Sequence, residues 1–317
     1  MASGTAVELA VVMVVGNCRD RAQRALDALC AQSALNAMEI VVVDVAKRGA
    51  PPLVAPADAP VEIVSHPALE SWGEARRAGF DRTSAPAIAF VEEHCVVDPA
   101  WAAALLEAHQ GPWASVGYAF RNANPESYVS RAGMLTDYGL WLEPAPRGRT
   151  SLLASNNVSY KREALLGLGD RLDEAIGSDF VAQEALSERG LPMFLESRAV
   201  VSHENFTTVR ETGLANYAWC RTMAGRRAAA AGWSLPRRIA QAAVTPISAP
   251  AFRTLRLART LGRRRPLWQP FLLGLPVFLV VSVWAGIGEA VGYLLGTGSA
   301  DTAIKRWELD VERDARG

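Results

Sequence analysis

No CxxC pair occurs among the four cysteines, Cys18, Cys30, Cys95 and Cys220. No secretory leader precedes them either. Residues 1–8 are mixed and run into a strand-like segment, not into an apolar core with a cleavage site. The expectation is reduced thiols in a cytosolic domain. A glycine-rich, basic phosphate loop is also missing after the first strand-like run, where Gly16-Asn17-Cys18-Arg19 stands instead. That argues against a nucleotidyltransferase. The arginine-rich stretch described below lacks interleaved stacking aromatics, so no nucleic-acid partner is expected.

The chain has 317 residues, half of them hydrophobic, enough for one large domain plus an appendage. Lys+Arg and Asp+Glu balance at 33 each, but the charge is unevenly placed. Residues 206–265 hold twelve arginines against one acid, Glu211. Beside an apolar segment, such a stretch favours an anionic membrane surface.

The first half alternates short apolar runs with helical patterns. Strands are expected at Leu9–Val15, Ile40–Val45, Val61–Ser65, Ala87–Val91 and Ala114–Phe120. Helices are expected at Arg19–Gln32, Ser71–Thr83 and Pro99–Gln110, the last with Asp98 as N-cap and Pro99 at its first position. This order predicts an α/β domain, Rossmann-like, with a mostly parallel sheet and helices on both faces. Continuous runs such as Ile40-Val41-Val42-Val43 suit strands covered on both sides. Residues 121–150 read as long loops. Residues 155–166 read as a turn opening a helix, 177–190 as a helix ended by Gly190, and 194–201 as a strand.

Residues 271–296 are almost wholly apolar, with Glu289 as the one charge. At about 1.5 Å per residue they exceed the roughly 30 Å of a bilayer core. A transmembrane or re-entrant segment is expected, kinked at Pro276, with a buried core helix as the alternative. Gly288, Gly292 and Gly296 form a small-residue stripe that invites a helix partner. Arg263-Arg264-Arg265 before it and a slightly acidic tail after it predict that the N-terminal domain is cytoplasmic at the inner or plasma membrane. The expected divisions are a domain at 1–205, a basic interfacial region at 206–265, a membrane segment at 266–296 and a polar tail at 297–317.

Several residues stand where ligands bind in open α/β sheets, beyond the carboxyl ends of strands. Asp44 closes the second strand and suits a nucleobase or ribose, or is simply a turn former. Glu92, Glu93 and His94 close the fourth. Two acids and an imidazole there suit a metal on a diphosphate, or else a solvated turn. Asp179, early in a helix, is a candidate base or an acid favoured by the helix dipole. His203 follows a later strand.

Taken together, residues 8–205 resemble the family 2 glycosyltransferases of GT-A fold. The resemblance runs through Val14-Val15-Gly16-Asn17, Asp44, Gly73-Glu74-Ala75-Arg76-Arg77-Ala78-Gly79, and Glu92-Glu93-His94 followed by Pro99-Ala100-Trp101. It continues through Asn156-Asn157 with Arg162 and Leu165, then Asp179, Gly190 and His203. Two departures stand out: Glu-Glu-His replaces Asp-x-Asp, and Ser178-Asp179 replaces an acidic pair. The resemblance implies inverting hexosyl transfer from a nucleotide-sugar donor to a membrane-proximal, lipid-linked or polysaccharide acceptor. It implies nucleotide-sugar contacts from Asn17, Asp44, Glu92, Glu93 and His94, and a Mn²⁺ or Mg²⁺ ion on Glu92, His94 and His203. It further implies a base at Asp179 and acceptor-side contacts at Asn156 and Asn157. The altered metal motif supports a rival reading, an inactive scaffold in a polysaccharide or glycolipid assembly complex.

Overall fold

The computed structural model describes residues 6–69, 71–262 and 264–313. The chain separates into two compact units, 1–121 with 143–203, and 122–142 with 204–317.

The first unit opens with β1 (Leu9–Val15), whose seven residues LAVVMVV are all buried. Next come α1 (Arg19–Cys30), β2 (Met38–Asp44), β3 (Val61–Ser65), α2 (Trp72–Phe80), β4 (Ala87–Glu92), β5 (Cys95–Val97), α3 (Trp101–His109) and β6 (Ser115–Asn122). The chain then runs through α4 (Tyr128–Tyr138), which belongs to the second unit. It returns with β7 (Gly148–Thr150), β8 (Val158–Lys161), α5 (Arg162–Leu166), α6 (Leu172–Gly177), α7 (Asp179–Glu188) and β9 (Met193–His203). Among the described residues nine strands form one sheet, ordered β3-β2-β1-β4-β8-β6-β9-β5, with β7 also on β9. The first four are parallel. β8 is antiparallel to both β4 and β6, and β5 and β7 are antiparallel to β9.

Register brings the chemistry to one edge. Val15 pairs with Asp44 and Val14 with Glu92, so the carboxyl ends of β1, β2 and β4 lie side by side. Helix α2 is fixed by a capping box between Ser71 and Glu74. A Cβ at Gly79 would strike Val12, so a glycine there lets α2 settle against β1.

Three expectations change. Helix α3 begins at Trp101 with Ala100 as N-cap, because the Asp98 carboxylate is drawn onto Arg121 (3.2 and 3.3 Å). Residues 121–150 are not all loop: Ser127 caps α4 by accepting the Ser130 N–H. The helix expected at 177–190 is α7, and Gly190 follows it at φ +69°.

The second unit contains α4, α8 (Val209–Ala230), α9 (Leu235–Leu261), α10 (Trp268–Leu295) and α11 (Ala300–Leu309). The three regions expected beyond residue 205 therefore pack as one unit and recruit residues 122–142. Helix α10 runs unbroken through Pro276. Its glycine stripe is already occupied: a Cβ at Gly288 or Gly292 would meet the Tyr217 or Arg221 carbonyl of α8. Gly296 lies just past the helix at φ +72°. The partner for this stripe is thus α8 of the same chain, in place of an external helix. Arg264 is turned inward to the carbonyls of Gly139, Leu140 and Leu142, satisfying the C-terminal end of α4. It is not a membrane-facing cation. Arg263 lies outside the described residues.

Candidate active site

At the carboxyl edge of β2, Asp44 receives both Arg19 guanidinium nitrogens (3.0 and 2.8 Å) and the Ala46 N–H. Arg19 also donates to the carbonyls of Gly16 and Pro51, which sets its fork. Asp44 keeps 18% side-chain exposure, so an accessible carboxylate edge remains. Asn17 accepts the Lys47 N–H through Oδ1 (3.0 Å) and pins the loop after β1 to the segment after β2.

Glu92 and Glu93, adjacent in sequence, turn to different neighbourhoods. Glu93 accepts the Gly16 N–H (2.6 Å) and the Arg21 guanidinium (2.6 and 2.9 Å), and its side chain has no exposure. It clamps the loop after β1, with its oxygens held by Gly16 and Arg21. Glu92 is held from the other direction. Asn156 donates to Oε1 (2.8 Å), and Asn157 donates to Oε2 (2.5 Å) while accepting the Glu92 N–H (3.2 Å). The two asparagines, expected on the acceptor side, are buried, with their amides on the Glu92 carboxylate. Asn156 adopts φ +66°, a left-handed conformation that Asn tolerates better than most residues.

Asp179 anchors that bend. Its carboxylate accepts both Arg76 nitrogens (2.9 and 3.0 Å), the Tyr160 hydroxyl (2.6 Å) and the Asn156 N–H (2.6 Å). The Asp179 side chain has no exposure and that of Arg76 has 2%. Arg76 also lies over the Phe90 ring, 3.8 Å from its centroid. Four donors on two oxygens leave Asp179 no lone pair for an acceptor hydroxyl. In this arrangement both oxygens are engaged by protein donors, whereas a general base needs one of them open to the hydroxyl it deprotonates. Burial foremost, then the Asp179 charge, pushes the Tyr160 hydroxyl well above its ordinary value, so it stays protonated and donating.

His94 and His203 meet with Nε2 atoms 3.1 Å apart and rings perpendicular. Glu92 Oε2 lies 3.3 Å from His94 Nε2 and 3.8 Å from His203 Nε2. Cys95 completes this group, with Sγ 3.8 Å from Glu92 Oε2. Sequence reasoning passed over Cys95. Its signal was adjacency to His94, but the pairing of Cys95 with His203 across β5 and β9 is needed to use it. The donor set is one carboxylate, two imidazoles and one thiol, all buried. Mg²⁺ demands oxygen ligands and retained waters, and Mn²⁺ prefers carboxylate, carbonyl and water. Neither fits this set, and no step is routed through such an ion.

An open α/β sheet with acids aligned at its carboxyl edge defines a nucleotide-binding class of fold. Within that class the assignment is specific. Residues 10–165 match the model of glycosyl transferase family 2, and the chain carries a family 2 glycosyltransferase domain of GT-A fold. The mannosyltransferase PcManGT from Pyrobaculum calidifontis, solved with GDP-Man and Mn²⁺, is similar in fold: TM-score 0.56 at 15% identity, over 94% of this chain and 86% of that one. S. aureus TarS 1–349 aligns at TM-score 0.44 and 14% identity, over 92% and 90%. No curated protein sequence matches the chain.

Proposed function

We propose that the chain transfers a hexosyl group, with inversion, from a nucleotide-sugar donor to a membrane-proximal, lipid-linked or polysaccharide acceptor. The carrying observation is the alignment of Asp44 and Glu92 at one sheet edge within a family 2 domain. Asp44, preset by Arg19, accepts hydrogen bonds from the nucleoside. Asn17 holds the adjoining loop, and the Asn156–Glu92–Asn157 clamp shapes the floor beyond β4. Thermal-shift titration with nucleoside diphosphates, then transfer from a nucleotide-sugar panel, tests this. One nucleotide should stabilise the protein, and Asp44→Asn should weaken it about tenfold, the loss of roughly one charge-assisted hydrogen bond. Stabilisation by none would overturn the reading. A second reading, an inactive scaffold, is favoured by the saturated Asp179. Nucleotide binding without transfer to any acceptor would support it.

Membrane placement rests on α10. Residues Arg265–Leu295 form one helix long and apolar enough to cross a bilayer. Leu272, Leu273, Val280 and Leu295 are exposed on it, and Ile239, Ile247 and Phe252 are exposed on the arginine-bearing α9. We assign this unit to the cytoplasmic side of the inner or plasma membrane, with α10 embedded and the exposed Arg237, Arg256 and Arg259 of α9 at the lipid headgroups. Sedimentation with anionic vesicles should show binding that high salt weakens but does not abolish, because screening removes only the electrostatic part. Complete release by salt would refute an embedded helix.

A further inference from the structure

We infer that Glu92, His94, Cys95 and His203 form a closed, four-coordinate zinc site in place of the diphosphate-binding ion. The inference is independent of which sugar or acceptor the protein uses, or whether it transfers one.

Strand pairing builds the site. β4 ends at Glu92, a two-residue turn follows, and β5 starts at Cys95. Cys95 sits directly opposite His203 in the antiparallel β5–β9 pair, so their side chains leave the same face. The turn brings His94 back over Glu92. One donor atom from each of the four residues lies within 4.8 Å of every other.

Four of the six donor spacings approach tetrahedral edges, and the two from Cys95 Sγ to the imidazoles lie within 4.8 Å. Zinc bonds of about 2.0–2.1 Å to nitrogen, 2.0–2.2 Å to oxygen and 2.3 Å to sulfur imply edges of roughly 3.3 Å between nitrogen and nitrogen or oxygen, and roughly 3.5 Å between oxygen and sulfur. The structure has 3.1 Å between the imidazole nitrogens and 3.3 and 3.8 Å from the carboxylate to each. The sulfur-to-carboxylate distance is 3.8 Å. Each is within about half an ångström of the tetrahedral edge. The imidazole rings stand 87° apart, with their Nε2 atoms brought together and both near the Glu92 carboxylate.

Charge and supporting contacts agree. A thiolate and a carboxylate cancel the two positive charges of zinc, so the complex is neutral where all four ligands are buried. Asn156 and Asn157 orient the Glu92 carboxylate from outside, as the outer partners of a metal ligand do. Imidazole and thiolate with a single oxygen select Zn²⁺ over Mn²⁺ or Mg²⁺. With four protein ligands the ion has no open position for a diphosphate. Its role is to tie the end of β4, the start of β5 and the end of β9 together at the sheet edge.

Metal content and a cobalt spectrum test this without any activity assay. Full-length protein, equilibrated with a mixture of Zn²⁺, Mn²⁺ and Mg²⁺ and then gel-filtered, should carry about one zinc per chain by elemental analysis and neither other ion. The Co²⁺-loaded protein should show the intense visible bands of tetrahedral cobalt and a near-ultraviolet thiolate-to-cobalt band. Cys95→Ser should lose the thiolate band. Should that variant fail to fold, the band in the wild-type spectrum still reports thiolate ligation. Absence of bound zinc, a weak octahedral cobalt spectrum, or retention of manganese in place of zinc would each overturn the inference.

Discussion

Arg21→Leu should cost the protein about 3–5 kcal/mol of stability, the typical loss on removing one partner from a buried ion pair. Arg21 and Glu93 have side-chain exposures of 1% and 0% and meet at 2.6 Å. Without the guanidinium, Glu93 keeps the Gly16 N–H but loses two charge-assisted hydrogen bonds while staying buried. A domain's whole stability is roughly 5–15 kcal/mol, so the change consumes much of it. At about 2–4 °C per kcal/mol for a domain of this size, the midpoint should fall by roughly 6–20 °C. Arg171→Ala provides the contrast. Its pair with Glu188 is 42% and 59% exposed, and such surface pairs contribute about 0–1 kcal/mol. Circular-dichroism melts of the two variants in the same detergent check this. If the two variants melt alike, Glu93 has not been assigned its true role.

The parallel half of the sheet was legible because burial on both faces leaves a plain mark. Leu9–Val15, buried throughout, has the boundaries expected from its apolar run; the edge strand Val61–Ser65, half exposed, was marked by its Val/Ile alternation instead. β8 was not legible. Its four residues, Val158–Lys161, lie between the asparagine pair and α5, too short to show a period. Yet β8 bridges β4 and β6 and presents Tyr160 to Asp179. Helix α4 was hidden by a polar, glycine-containing stretch whose signal is the Ser127 cap.

Within the site, position was readable and orientation was not. Asp44 and Glu92 do close their strands, and Glu93 and His94 form the turn after β4. Which way each carboxylate turns depends on partners far along the chain: Arg21 for Glu93, 72 residues away, and Asn156 for Glu92, 64 residues away. Asn156 and Asn157 were expected to face an acceptor because nothing local reveals that their amides are spent on Glu92. The salt bridge between Arg76 and Asp179 spans 103 residues, and α2 and α7 carry no mark of each other.

That salt bridge sets the last expectation. Asp179→Asn should act on stability first and on chemistry second. The substitution turns one acceptor oxygen into a donor amide facing Arg76 and either the Tyr160 hydroxyl, at Oδ1, or the Asn156 N–H, at Oδ2, all of them donors. It leaves Arg76 a buried, uncompensated cation, again a loss of about 3–5 kcal/mol. Arg76→Leu should cost a similar amount by stranding the carboxylate, and the double variant Arg76→Leu/Asp179→Leu should cost less than the sum. That coupling is the signature of a direct pair. Glu184→Gln is the control, since Glu184 lies on the same helix but is exposed. It should change neither melt nor rate. A general base behaves differently: removing it lowers kcat by about 10²–10⁴-fold in a molecule that still folds. Urea unfolding, with kcat normalised to the folded fraction, separates the two roles. The expected result is a large drop in midpoint with a loss in kcat below about tenfold, short of what a missing base produces. An unchanged midpoint with a hundredfold slower turnover would return Asp179 to the chemical step. It would also mean that Arg76 releases the carboxylate when substrate is bound.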